Sequence, residues 1–176
     1  MTDGEVDAGP SPTFEELYRR ELAAVVALAY VLSGSRTAAE ELAQEAFLAA
    51  HRSWDRIGRY DDPAAWVRRV CANRAVSVVR RRASEARALV RLGARRAVPD
   101  ELPADSAEFW RAVRRLPRRQ AQVVALHYLE DRPVDEVAAI LGVAGGTVKA
   151  HLHRARRALA RELGCQVDDG GEEGWA

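Results

Sequence analysis

The chain has few of the features that cross-link small proteins or anchor proteins in membranes. Its 176 residues include two cysteines, Cys71 and Cys165, which form neither a disulfide framework nor a metal-binding spacing. The longest apolar run, residues 22–32, has 11 residues, whereas a membrane-spanning helix needs about 20. No segment convincingly alternates apolar and polar residues with the period of two that marks strands. We therefore expect an all-α protein with no membrane span, no metal and no cofactor.

Lysine is almost absent too, since Lys149 is the only lysine among 27 basic residues. Residues 1–12 and 164–176 carry acidic residues but no basic ones, and we interpret both segments as disordered. Residues 13–163 hold all 27 basic residues against 19 acidic ones, a net charge of +8. A basic body predicts a polyanionic partner. Because no basic segment with a following apolar core stands near the start, we expect no signal peptide and a cytoplasmic location.

Residues 133–159 contain two helical patterns separated by Gly142, a residue favoured where helices end in the left-handed conformation. Four apolar residues of the second pattern form one stripe at helical spacing: Val148, Leu152, Ala155 and Leu159. Other residues point away from the stripe or flank it: Gly146, Lys149, Ala150, His153, Arg154 and Arg157. This is the plan of a helix-turn-helix whose second helix enters the DNA major groove. The alternative is an ordinary helical hairpin with a solvated arginine face.

A first helical unit precedes this segment, from residue 13 to about residue 82. Its third helix is predicted to begin at Pro63, with Asp62 as N-cap, and to run to the arginines at 80–82. One face of this helix combines a stacking surface with groups that recognise base edges: Trp66, Arg69, Asn73, Ser77 and Arg80. Packing of Trp66 against the core is an equally good interpretation. Tyr60, in the preceding loop, is a second candidate for stacking on a base.

Residues 84–105 lose the helical periodicity and contain Gly93, Pro99 and Pro103, although a short helix near 86–92 fits the pattern. We interpret them as a flexible linker. The sequence thus predicts two small helical domains, 13–83 and 106–163, between the end segments 1–12 and 164–176.

The order of these units resembles a sigma-70 family RNA polymerase sigma factor of the extracytoplasmic-function group, in a form common in actinobacteria. Residues 39–47 are similar to the family's region 2.2, and residues 59–73 to its regions 2.3 and 2.4. Residues 116–130 are similar to the start of region 4, and residues 146–156 to its recognition helix. The resemblance implies a bacterial protein that is no enzyme. It would bind core RNA polymerase, recognise and melt promoter DNA, and start transcription in a nucleoid-bound holoenzyme.

The resemblance also implies a role for each surface. Region 2.2 of the family docks on the clamp helices of the polymerase β′ subunit, here through an acidic ridge: Glu40, Glu41, Gln44 and Glu45. Region 2.4 recognises the −10 promoter element, here through a −10 face: Tyr60, Trp66, Arg69, Asn73, Ser77 and Arg80. Region 4 contacts the polymerase β flap and the −35 element, here through a −35 face: Gly146, Thr147, Lys149, His151, His153, Arg154 and Arg157. An anti-sigma factor is a further partner that the resemblance allows. On the residues alone, the acidic ridge would be a solvated helix face.

Three departures from the family pattern predict an altered promoter preference on an unchanged fold. Ser77 stands where members usually have Asp, residues 144–146 lack the usual Ser-Glu-Gly start, and Ala150-His151 replaces a common Ser-Arg pair. A stand-alone helix-turn-helix regulator that binds duplex DNA without polymerase is the alternative function. The acidic ridge and the one-sided −10 face disfavour it. The four histidines form no constellation with Cys, Asp or Glu, which disfavours an enzyme.

Overall fold

The computed structural model describes residues 13–91 and 104–165, with the backbone alone for residues 79, 80, 82–91, 104 and 105. Within these ranges the chain forms α-helices and no strands, which confirms the predicted all-α class. The helices are α1 (Phe14–Ser33), α2 (Arg36–Arg52), α3 (Trp54–Ile57), α4 (Pro63–Arg91), α5 (Ala104–Arg115), α6 (Arg118–Tyr128), α7 (Val134–Leu141) and α8 (Gly145–Leu163). None of the described helices is both long and apolar enough to cross a membrane. The end segments predicted to be disordered (apart from Gly164 and Cys165) and residues 92–103 of the predicted linker lie outside the described residues.

Helices α1, α2 and α4 pack on one another to form the first unit. A capping box starts α1: the Glu16 backbone N–H donates to the Thr13 hydroxyl, and the Thr13 N–H donates to the Glu16 carboxylate. Gly34, at φ +74°, ends the same helix. The core between the helices contains side chains that are at most 2% exposed: Leu17, Leu28, Leu32, Phe47, Ile57 and Val67. Burial of these apolar side chains holds the unit together.

Helix α4 begins as predicted but ends later than predicted. Pro63 is its first residue, and the Asp62 carboxylate accepts the Ala65 N–H at 2.9 Å, so the expected cap is present. The predicted end near Arg82 is wrong, since the helix continues to Arg91 and takes in residues 84–91 of the predicted linker. The sequence of these residues explains the extension, because they include good helix formers and neither Gly nor Pro.

Helices α5 to α8 form the second unit, and α8 packs on each of the other three. Gly142, at φ +66°, ends α7 in the left-handed conformation, and α8 begins three residues later. The predicted stripe of α8 is its buried side: Val148, Leu152, Ala155 and Leu159. The helix-turn-helix geometry expected from residues 133–159 is therefore present.

The two units also touch each other. Helix α1 contacts α5 and α6, and helix α4 contacts α6 and α7. We call this contact the seam. Side chains and backbone groups that join the units across it come from both sides: Val31, Gly34, Arg68 and Asn73 from the first unit, and Arg114, Arg118, Gln122 and Glu130 from the second.

Candidate nucleic-acid interface

Helix α8 presents the −35 face on the side opposite its buried stripe. Gly146, Thr147, Lys149, His153, Arg154 and Arg157 are exposed, while His151 is half-buried. Arg156 is directed differently, because its guanidinium donates to the Tyr128 hydroxyl at 2.7 Å and lies over the Tyr128 ring. The arginines of α8 therefore differ in their surroundings. Arg156 connects α8 to α6, whereas Arg154 and Arg157 extend into solvent.

The start of α8 lacks a side-chain cap. Ala144 occupies the N-cap position and accepts the Thr147 N–H only through its backbone carbonyl. Gly145 packs against the start of α7, where an added Cβ would lie 3.3 Å from the Asp135 carboxylate, whereas nothing lies within 4 Å of a Cβ at Gly146. Of the two glycines, Gly146 therefore leaves the backbone open to a close approach by a phosphate.

His151 differs in charge from its neighbours on the −35 face. Burial lowers the pKa of its imidazole, and the nearby cations Arg154 and Arg119 lower this pKa further. Its Nδ1 atom is buried and has no hydrogen-bond partner among the described residues. His151 is consequently neutral at neutral pH and adds no positive charge to the face.

The structure divides the predicted −10 face into open and covered residues. Arg69 and Ser77 are exposed, and the Ser77 hydroxyl donates to the backbone carbonyl of Asn73 at 2.8 Å. Tyr60 is 42% exposed, while Trp66 is half-buried and packs against the core. The side chain of Arg80 lies outside the described part of the chain.

Asn73 of the −10 face is not free, although its position on the helix predicts an exposed side chain. Its Oδ1 accepts one hydrogen bond from Arg118 at 2.6 Å and another from Gln122 at 2.9 Å. Arg69 lies beside the second unit as well, with its Nη1 3.2 Å from where a Cβ of Gly142 would be. The second unit therefore covers part of the −10 face in this conformation.

The sequence analysis did not identify the residues through which the two units contact each other. Gln122 is fully buried within the apolar run 121–126, and a polar residue inside such a run is the one local signal that was available. Arg68 is also buried, and its guanidinium donates to Glu21 at 2.7 Å and to Glu130 at 2.5 Å. Nothing in the local periodicity around Arg68 pointed to these two partners.

The acidic ridge lies on α2, and its four residues are all exposed. Two of them have cationic neighbours, since Glu40 pairs with Arg36 at 3.2 Å and Glu45 pairs with Arg74. A shallow cleft of about 530 Å³ runs beside the ridge, and its apolar lining is Phe14, Tyr18, Phe47 and Leu48. Leu48 is 48% exposed. The ridge therefore borders an apolar surface, which the sequence interpretation did not include.

The His, Cys, Asp and Glu side chains of the described residues are the candidates for metal ligands or nucleophiles. The described residues contain no group of three or more of these side chains suited to a metal ion. Burial raises the pKa of the Cys71 thiol to about 12, so this cysteine is an inert core residue.

Comparisons with known proteins agree with this geometry. Residues 17–85 match the family model for sigma-70 region 2, and residues 106–159 match the model for sigma-70 region 4. The chain is 33% identical over 167 residues to the ECF RNA polymerase sigma factor SigE of Mycolicibacterium smegmatis, a match that covers 89% of this chain and 64% of that protein. It is 32% identical over 160 residues to the ECF sigma factor SigM of Mycobacterium tuberculosis, covering 89% of this chain and 80% of SigM.

A solved structure shares the fold of both units. The sigma factor RpoE in a complex with the anti-sigma factor NepR from Bartonella quintana superposes with a TM-score of 0.66 at 27% identity. The superposition covers 88% of this chain and 98% of RpoE. Sigma factors are transcription initiation factors that generally have no catalytic activity of their own. The matches over both units show that this chain belongs to the sigma-70 family, as an RNA polymerase sigma factor of the ECF, or extracytoplasmic-function, group.

Proposed function

We propose that this sigma factor docks on core RNA polymerase through the acidic ridge and directs the enzyme to promoters through its −10 and −35 faces. Region 2 would occupy residues 13–83, the linker residues 84–105, and region 4 residues 106–163. One observation carries the proposal: α8 is buried along its apolar stripe and exposes its cations on the opposite side. A helix held in this way is positioned to enter the major groove.

The proposed polymerase contact combines charge with apolar area. The acidic ridge supplies carboxylates that steer a basic partner surface, and the cleft beside it, with Leu48 and Phe47, supplies apolar area. These features suit the β′ clamp helices as the partner of region 2. The β flap is the corresponding partner of region 4.

The proposed −35 contact depends mainly on phosphates. Lys149, Arg154 and Arg157 are exposed cations, whereas His151 is neutral and α8 has no side-chain cap at Ala144. Phosphate contacts fix the position of a protein on DNA but carry little sequence information. We therefore expect a modest contribution of the −35 element to promoter choice.

The proposed −10 contact uses the loop before α4 and the open side of that helix. Tyr60 is exposed enough to stack on an unpaired base, while Trp66 has part of its ring in the core and only the rest available. Arg69 and Asn73 carry the groups suited to base edges. The Ser77 hydroxyl donates to the backbone of its own helix. Because Ser77 stands where the family usually has Asp, this arrangement supports a weaker sequence preference at the −10 element.

Run-off transcription with purified core polymerase on a genomic promoter library tests the proposal. The double variant Glu41→Lys, Glu45→Lys should lose polymerase binding in a pull-down and lose run-off product, because it reverses two charges of the acidic ridge. Glu15→Lys with Asp55→Lys is the matched control, since it reverses two exposed charges of the same unit that lie on α1 and α3 and not on α2. Equal binding by both double variants would contradict the ridge assignment. Sequence-specific binding of duplex DNA without polymerase would instead favour the stand-alone regulator.

Control by an anti-sigma factor belongs to the same proposal. RpoE was solved with such a partner bound, and we extend that kind of control to this chain on the strength of the shared fold. The site of action would be the cytoplasm, at the nucleoid.

A further inference from the structure

We infer that the −35 face has a second ligand within the same chain, the acidic segment 166–176, which competes there with DNA phosphates. We call this segment the acidic tail. Its charged side chains are all carboxylates: Asp168, Asp169, Glu172 and Glu173. The competition with DNA rests on the proposed function of the −35 face. The tail lies outside the described residues, whereas the surface assigned to it is described.

The side of α8 that faces away from the core carries cations without acidic partners. These cations are exposed: Lys149, Arg154, Arg157 and Arg161. The three arginines recur at i, i+3 and i+7, so they share the side opposite the buried stripe. None of the four cations forms an ion pair with a residue that the structure describes, and the carboxylate of Glu162 on the same helix pairs with Arg115. The described carboxylates therefore leave the positive charge of this side unbalanced.

The acidic tail begins where this row of cations ends. Gly164, at φ +68°, ends α8 in the left-handed conformation, and the Cys165 N–H donates back to the Ala160 carbonyl at 2.9 Å. The chain therefore turns away from the helix axis at the start of the tail. Because the tail is tethered to the end of α8, its carboxylates have a high effective concentration at the cations.

The reach of the tail matches the length of α8. At a rise of about 1.5 Å per residue, Arg154 lies about 14 Å before the end of α8 and Lys149 about 21 Å before it. An extended chain covers about 3.3 Å per residue, so Asp169 reaches up to about 17 Å from that end and Glu173 up to about 30 Å. The aspartates of the tail can therefore reach Arg154, and its glutamates can reach Lys149.

The other acidic segment of the chain has different surroundings. Residues 1–12 carry Asp3, Glu5 and Asp7 and lead into α1, which begins at Phe14. The Phe14 ring lines the cleft beside the acidic ridge, so this segment joins the fold next to charges of its own sign. Like charges repel. Residues 1–12 therefore provide a comparison of similar charge at a different location.

Competition by the tail changes the affinity for DNA and its salt dependence together. Exposed ion pairs are individually weak, so a few of them should lower the affinity of the −35 face about threefold to tenfold at low salt. Salt screens the tail contact as well as the DNA contact. DNA binding should therefore fall less steeply with salt in the wild-type protein than in a variant without the tail charges.

A spin label on the tail reports the contact without DNA. The full chain with Cys165→Ser and Gly174→Cys has one reactive cysteine, because Cys71 is buried. A nitroxide at this cysteine broadens the amide NMR signals of nearby residues. Since the tether alone broadens signals near the end of α8, the measured quantity is the broadening at residues 149–157 with and without the tail charges.

Two matched triple variants each remove three negative charges. The tail variant is Asp168→Asn, Asp169→Asn, Glu172→Gln, and the control variant is Asp3→Asn, Glu5→Gln, Asp7→Asn. The tail variant should lose most of the broadening at 149–157, whereas the control variant should retain it. Salt should act on the wild-type tail as the tail variant does, because the Debye length falls from about 10 Å at 0.1 M to about 3 Å at 1 M.

Fluorescence anisotropy of a labelled DNA duplex of scrambled sequence measures the competition. A scrambled duplex is sufficient because phosphate contacts carry little sequence information. At low salt, the free full-length tail variant should bind about threefold to tenfold more tightly than the wild type, and the control variant should bind nearly as the wild type does. The gain should disappear when Arg154→Ala and Arg157→Ala are added, because the tail then has few cations to cover.

Three results would overturn the inference. Equal broadening of α8 with and without the tail charges would mean that the carboxylates do not hold the tail there. Equal gains in the tail and control variants would show a general effect of net charge, and a gain that persists without Arg154 and Arg157 would place the tail on another surface. Absence of DNA binding by the wild type and by the tail variant would instead contradict the proposed role of the −35 face, while the spin label still decides whether the tail contacts α8.

Discussion

Replacement of Arg68 by methionine should destabilise the protein far more than its position on a polar helix face suggests. The guanidinium is 4% exposed and contacts two carboxylates, Glu21 and Glu130, whose side chains are 12% and 7% exposed. Methionine fills a similar volume, so the main loss is electrostatic. Two buried carboxylates remain without their shared cation, and breaking a buried ion pair from one side costs roughly 3–5 kcal/mol.

Urea denaturation followed by far-ultraviolet circular dichroism measures this loss. At roughly 2–4 °C per kcal/mol for a chain of this size, a thermal melt should shift downward by about 6–20 °C. Arg19→Met is the control, because Arg19 and its partner Glu15 are 75% and 70% exposed, and such pairs contribute less than about 1 kcal/mol. Adding Glu130→Gln to Arg68→Met should recover part of the loss, since it removes a buried charge that has lost one of its two cationic partners. A loss below about 1 kcal/mol in Arg68→Met would refute the reasoning.

Further predictions concern acid stability and the two DNA faces. Burial alone would raise the pKa of Glu21, but hydrogen bonds from arginine neighbours outweigh it and lower the pKa below 4.5. The ionised carboxylate therefore stabilises the fold above pH 4.5, and this contribution is lost as the pH falls through the lower folded-state pKa. Acid unfolding of Glu21→Gln should be less steep there, and an unchanged pH profile would contradict the assignment. Lys149→Ala or Arg154→Ala should lower holoenzyme affinity about equally on matched and scrambled −35 templates and reduce the salt dependence by roughly one unit per contact. A loss confined to the matched template would show that these side chains recognise bases. Arg69→Ala should reduce promoter opening, seen as lower permanganate reactivity of unpaired thymines, and normal reactivity would remove Arg69 from the −10 face.

The sequence by itself determined the helical class and the helix-turn-helix. These features depend on neighbours in the chain: the apolar stripe of α8 follows from helical spacing, and Gly142 and the Asp62–Pro63 start follow from local backbone preferences. The motifs that resemble the sigma-70 family are likewise contiguous segments. Local periodicity failed at a boundary, where α4 continued to Arg91, and it did not predict the short helix α3.

Only the tertiary structure decided which of the predicted surfaces are open. Asn73 is covered by residues 45 and 49 positions away in the chain, and Arg68 contacts carboxylates 47 and 62 positions away. Helical spacing tells which side of a helix is polar, but not whether another unit packs on that side. The contacts of Asn73 and Arg68 with the second unit depend on how the two units are placed. That placement reflects the balance of buried charge, hydrogen bonds and desolvation over the whole seam. That balance leaves the predicted −10 face partly covered and the predicted −35 face open.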